Sequence, residues 1–146
     1  MNQPESQHPA LKLHHIGIVV PRIEEAVSAY RLLGYTERTG IIHDPAQTAL
    51  LQFLRLSNAD HYIELVAPDG PDSYVAAAAA RKNPLNHLCY TSVDIFCTCN
   101  LLQSGGWRLI SDPAPAVAFD GRLIAWLISP AKLIVELVQQ GPEGSL

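Results

Sequence analysis

A chain of 146 residues, 48% hydrophobic and 16% charged, suits one domain or two small halves sharing a core, and is too apolar to be disordered. Its formal net charge is −4 and its 10 Lys and Arg are scattered, which leaves no basic stripe for nucleic acid or a membrane surface. No apolar run is long enough to span a bilayer, "MNQPESQHPA" lacks the parts of a signal peptide, and three clustered cysteines argue against a disulfide framework, so a cytoplasmic protein is expected.

Residues 1–10 read as a flexible polar tail. "LHHIGIVV" (13–20) then reads as a buried strand. Side chains alternate faces along a strand, so at most one of His14 and His15 should point into the core. In "RIEEAVSAYRLLGY", Ile23, Ala26, Val27, Tyr30 and Leu33 have helical spacing, with Gly34 as the stop. A strand around Tyr35–His43 ends at the Asp44-Pro45 turn, and "TALLQFLRL" (48–56) and "HYIELVAP" (61–68) flank the turn "SNAD". Residues 11–68 thus read as strand, helix and three strands.

A linker follows at 69–84, where Pro and Gly mark a loop and five alanines predict a short helix. Residues 85–140 repeat the first pattern: the strand "LNHLCYTSV", the helix "DIFCTCNLLQSGGW", and strands near 107–112, 122–128 and 132–140. Residues 141–146 form a C-terminal tail. Cys97 and Cys99, two apart on a helix, point in different directions and read as core filling rather than metal ligands.

Shifting the chain by 72 residues makes the repeat explicit. His15 falls on His87, Ile23 on Ile95, Gly34 on Gly106, and "IELV" (63–66) on "VELV" (135–138), so Glu64 meets Glu136. "IIHDPA" (41–46) matches "LISDPA" (109–114) at an offset of 68. Because His15 has a histidine counterpart and His14 has Asn86, His15 should point in and His14 out.

Each half therefore offers one histidine and one glutamate from otherwise apolar strands, 49 residues apart in both cases. A buried carboxylate without a partner costs several kcal/mol or is forced to protonate, and two facing each other also repel. One divalent cation resolves both problems. His15, Glu64, His87 and Glu136 are the expected ligands, an N₂O₂ set suited to borderline-to-hard first-row metals such as Zn, Ni, Co, Mn or Fe.

With "HHIGIVV", the "LGY" helix end, "IELVAP", "NHLCYTSVD" and "VELV", the sequence resembles the vicinal oxygen chelate superfamily, which includes glyoxalase I, methylmalonyl-CoA epimerase, extradiol dioxygenases and fosfomycin-resistance enzymes. The resemblance runs from about Leu11 to Gln140. It implies an α+β fold in which two tandem βαβββ modules form a cupped mixed sheet around one divalent metal, held by residues at the positions of His15, Glu64, His87 and Glu136. The "APDGPDS" turn before "NHLCY" looks most like methylmalonyl-CoA epimerases. In two respects the chain departs from them: epimerases often have Gln where this chain has Glu64, a position at which glyoxalase I look-alikes use Glu. Some epimerases also carry a non-ligand glutamate, taken as a base, where "TALLQFLRL" offers Leu50 or Gln52.

The resemblance implies an isomerase or epimerase that removes a proton α to a carbonyl, acting on an acyl-CoA. Alternatives are a lyase of glyoxalase I type acting on a hemithioacetal, a drug-binding or resistance protein, and a dioxygenase. Glu64 or Glu136 is the expected base. His43, Gln47, Gln52 and Arg122 are further candidate substrate contacts, although Asp44-Pro45 and its echo Asp112-Pro113 also read as plain turns. A homodimer is expected.

Overall fold

The structure is a computed structural model that describes residues 10–81 and 84–146; the expected tail, Ala10 apart, lies outside the described residues. The first half gives β1 (Leu11–Val19), α1 (Ile23–Leu32), β2 (Thr36–Glu37), β3 (Ile42–Asp44), β4 (Ala49–Arg55) and β5 (Tyr62–Pro68). The alanine run forms α2 (Ala76–Ala80). The second half gives β6 (Leu85–Ser92), α3 (Ile95–Ser104), β7 (Arg108–Pro115), β8 (Leu123–Ile128) and β9 (Ile134–Gln139). A 3₁₀ turn at Val117–Phe119, unforeseen in the sequence, delivers Phe119 to the core.

The fold is α+β, with one large mixed sheet. Strand order is β2-β4-β5-β1-β6-β9-β8-β7, with β3 also on β4. The halves meet where β1 and β6 pair antiparallel, and each of these pairs in parallel with the last strand of its own half, β1 with β5 and β6 with β9.

Period-2 alternation sorts the strands into two faces. Ile63, Leu65 and Ala67 pack with Leu54 against Ile23 and Val27 of α1. Val135, Leu137, Ala125 and Leu127 pack against Ile95 and Cys99 of α3. Burying each of the Val, Leu and Ile side chains among them stabilises the fold by about 1.5–3 kcal/mol. The other face collects Phe53, Cys89, Phe119 and Val138, together with Val19, Leu51 and Val66. Glu64 and Glu136, each flanked in sequence by helix-facing residues, must lie on this second face.

Two expectations are corrected. The strand predicted over Tyr35–His43 is interrupted: Phe53 N donates to Thr39 Oγ1 and Gln52 Nε2 donates to the Thr39 carbonyl. These side-chain bonds take the place of ladder bonds, and the chain bows out between β2 and β3. Of the two helix cysteines only Cys99 is buried. Cys97 is exposed, as two positions apart on a helix requires when the other faces the sheet.

Candidate metal centre

The central strands assemble the site through their register. Gly17 lies opposite His87, and His15 opposite Cys89, across β1 and β6. On β5, Glu64 sits beside Gly17; on β9, Glu136 sits beside Cys89. Four side chains from four adjacent strands thus converge on one face. His15 Nε2 lies 3.0 Å from His87 Nε2. Glu64 Oε1 is 3.5 Å from both nitrogens, and Glu136 Oε1 is 3.2 Å from His15 Nε2 and 3.7 Å from His87 Nε2. Relative exposures are 0% for His15, 5% for Glu64, 4% for His87 and 2% for Glu136.

Gly17 makes this approach possible. A Cβ there would stand 2.1 Å from His87 Cε1, so the imidazole occupies the space a side chain would fill. The equivalent position in the second half is Cys89, fully buried beside His15.

His14 corrects the sequence reading. It is buried, packed edge-on against Phe53 and Phe119 and tilted over Tyr62. The alternation rule fails because the β1–β6 register shifts between Leu13 and His15, which makes His14 an extra, bulged residue. Its Nδ1 lies 2.8 Å from His15 Nδ1. A second shift, between Gly17 and Ile18, leaves Asn86 as the extra residue on β6, and Asn86 Oδ1 lies 2.8 Å from His87 Nδ1.

Burial governs the electrostatics. Desolvation pushes His15 down to about 3 and His87 to about 4, so both imidazoles are neutral lone-pair donors at neutral pH. The same desolvation raises Glu64 well above the ordinary carboxylate range, with repulsion from Glu136 and Asp44 adding to it, and raises Glu136 to about 6. Glu136 Oε1 is buried with no hydrogen-bond partner. The ligand atoms of His15, Glu64 and His87 lie mutually close, and with Glu136 beside both imidazoles they make a surplus of electron-pair donors, which suits a divalent cation. The ligand atoms of His14, His15 and Cys89 also lie close together. Burial and the neighbouring Glu136 raise the Cys89 thiol, however, so that trio brings no anionic ligand.

A cavity of about 380 Å³ is walled by the two Asp-Pro segments, Asp44–Gln47 and Ser111–Asp112, with Ala114–Val117, Ile124 and Trp126. Trp126 pairs across β8–β9 with Glu136 and packs edge-on against His87, so this cavity adjoins the four-residue cluster. Gln47 reaches it, its backbone N and Nε2 both donating to Asp44. Asp44 itself, buried and close enough to raise both glutamates, went unassigned because Asp-Pro reads first as a turn. The structure does not bring His43 or Gln52 to the cluster. His43 is exposed and faces Asp69 at 3.2 Å. Gln52 pairs with Leu65, on the α1 side. Arg122 borders a separate cavity of about 820 Å³ beside His14, donating to the carbonyls of Phe119, Gln139 and Leu146.

The model of the Glyoxalase/Bleomycin resistance protein/Dioxygenase superfamily matches residues 14–126. The chain is 29% identical over 119 residues to an ethylmalonyl-CoA/methylmalonyl-CoA epimerase of Cereibacter sphaeroides, spanning 80% of this chain and 87% of that protein. The crystal structure of methylmalonyl-CoA epimerase from Mycobacterium tuberculosis superposes with a TM-score of 0.78 at 24% identity, over 90% of this chain and 89% of that one. A Streptomyces coelicolor methylmalonyl-CoA epimerase variant in complex with 2-nitronate-propionyl-CoA superposes with a TM-score of 0.77 at 21% identity, over 90% and 98% of the two chains.

Proposed function

The chain belongs to the Glyoxalase/Bleomycin resistance protein/Dioxygenase superfamily, and on that footing we propose that it is a metal-dependent epimerase of the methylmalonyl-CoA epimerase kind, inverting a carbon α to a thioester carbonyl. The observation that carries this is the convergence of His15, Glu64, His87 and Glu136. These four would hold one divalent ion, Zn, Ni, Co, Mn or Fe. When bound, the ion supplies Lewis acidity that stabilises negative charge developing on the substrate carbonyl oxygen.

The chain's own groups handle the proton. Glu136, raised to about 6, is matched to accepting a proton near neutral pH. Glu64 is the alternative base. Asp44, in the wall of the adjoining cavity and held by Gln47, is the third carboxylate, and we assign it the return of the proton. Proton removal by one carboxylate and delivery by another to the opposite face inverts the carbon, and the two groups exchange protons with solvent to regain their starting states before the next turnover. Trp126, Ala116 and Ile124 give the cavity apolar walls, which exclude water and strengthen the electrostatics inside. An acyl-CoA is the proposed substrate class, supported by the epimerase relative and by the acyl-CoA analogue in the related structure.

A hemithioacetal lyase is the second reading, favoured by a full carboxylate ligand at Glu64 in the manner of glyoxalase I. The proposal includes a cytoplasmic homodimer; among the described residues no helix is long and apolar enough to cross a membrane.

The test is deuterium exchange. Protein reconstituted with each metal is incubated in D₂O with methylmalonyl-CoA, ethylmalonyl-CoA and a glutathione hemithioacetal, and followed by mass spectrometry. Deuterium entering C2 of an acyl-CoA is the expected result. Turnover of the hemithioacetal alone would favour the lyase. No exchange above a chelator-treated control with any substrate refutes both.

A further inference from the structure

We propose that the residue immediately preceding each ligand histidine is that ligand's positioning residue, His14 for His15 and Asn86 for His87, each presenting a lone pair to its neighbour's Nδ1–H so that Nε2 is left free for the metal. This rests on the metal reading above.

The two halves arrive at the arrangement by the same device. In a regular strand the preceding residue points to the opposite face and cannot reach the histidine ring in this way. Here the β1–β6 register shifts twice, and the extra residues are His14 on one strand and Asn86 on the other. A bulge re-aims a side chain, and both are re-aimed to the same end. Each places a polar atom 2.8 Å from a ligand's Nδ1. The two positions are 72 residues apart, like the histidines they serve. What the duplicated positions share is an acceptor at that place: an amide oxygen in one half and an imidazole nitrogen in the other.

The acceptor matters because an imidazole can bind metal through Nε2 only if its proton sits on Nδ1. An amide oxygen accepts and never donates, so Asn86 Oδ1 fixes His87 as the Nδ1–H form. His14 has two options. If its Nδ1 accepts, His15 Nε2 is a bare lone pair, and the His14 proton resides on Nε2, which is buried and has no other hydrogen-bond partner. If its Nδ1 donates, His15 Nε2 carries a proton aimed at His87 Nε2, 3.0 Å away, and the site closes on itself with a histidine–histidine hydrogen bond. Metal binding selects the first. Phe53, Tyr62 and Phe119 pack around the His14 ring and hold it in place.

The test uses zinc(II), which is diamagnetic, on the full chain. Long-range ¹H–¹⁵N correlation spectra of the zinc-loaded protein should show His15 and His87 protonated on Nδ1 and His14 protonated on Nε2. His14→Leu and Asn86→Leu, which keep bulk but remove the acceptor, should raise the zinc dissociation constant about 10- to 100-fold each. His14→Asn, which restores in the first half the acceptor used in the second, should bind within about threefold of the parent. A His14 protonated on Nδ1 in the zinc form, or zinc binding unchanged in both leucine variants, overturns the proposal while leaving the metal site standing. A parent protein that binds no zinc overturns the metal reading instead. Should His14→Leu fail to fold, the parent spectra and Asn86→Leu still decide.

Discussion

Gly17→Ala tests the close packing on which the site depends. The new Cβ would stand 2.1 Å from His87 Cε1, 2.4 Å from Nδ1 and 2.7 Å from Nε2. Ordinary carbon–carbon contact begins near 3.5 Å, so the ring must retreat by about 1.4 Å. It cannot do so freely, because Trp126 packs edge-on against it with centroids 4.7 Å apart and Asn86 holds Nδ1. Functional geometry tolerates about 0.5 Å of displacement. The retreat therefore removes His87 from a shared metal rather than merely loosening it. The expected cost is at least about 100-fold in metal affinity, or about 2.7 kcal/mol. Competition against a chromogenic chelator, with cobalt(II) and zinc(II), measures it. Circular dichroism checks that the variant is folded, and affinity is compared only for folded protein. Parent-like affinity in a folded Gly17→Ala protein would refute the claim that His87 lies over Gly17 as a ligand.

Burial raises Glu136 from 4.5 to about 6, so in the metal-free protein its contribution is fully present below pH 4.5 and is lost as pH rises through 6, at a cost of about 2 kcal/mol. Metal-free Glu136→Gln should accordingly be more stable than the parent at pH 8, with Tm higher by several degrees in calorimetry, yet bind metal more weakly. His15 and His87 are shifted the other way, to about 3 and 4; their contribution is present above pH 6.5 and is lost as pH falls toward 4, so acid should destabilise the metal-free protein through the imidazoles. Burial disfavours the ionised form of Glu64 that a metal needs, so metal affinity should fall as pH is lowered, which chelator competition across a pH series measures. Asp44→Asn should retain parent metal content while epimerisation falls about 100-fold or more; unchanged epimerisation would remove Asp44 from the proposed proton route.

The duplicated architecture and the four converging residues were legible in the chain because both are written locally. Alternation in "IELV" and "VELV" fixes which residues meet the helices, and therefore that Glu64 and Glu136 meet something else. Helical spacing and glycine stops fixed α1 and α3. Repetition at 72 residues paired the histidines with no reference to space. Legibility ended where one strand's pairing depends on another. An unbroken ladder would turn His14 outward, and the shift that turns it inward belongs to the β1–β6 pair rather than to either strand alone. The bow between β2 and β3 likewise depends on Thr39 reaching β4. Asp44 looks like half of an Asp-Pro turn until β3 docks on β4 and carries it beside the glutamates. A side chain's face follows from its neighbours in sequence; what it touches across the sheet follows from register, a long-range property set only when the two halves close on one another.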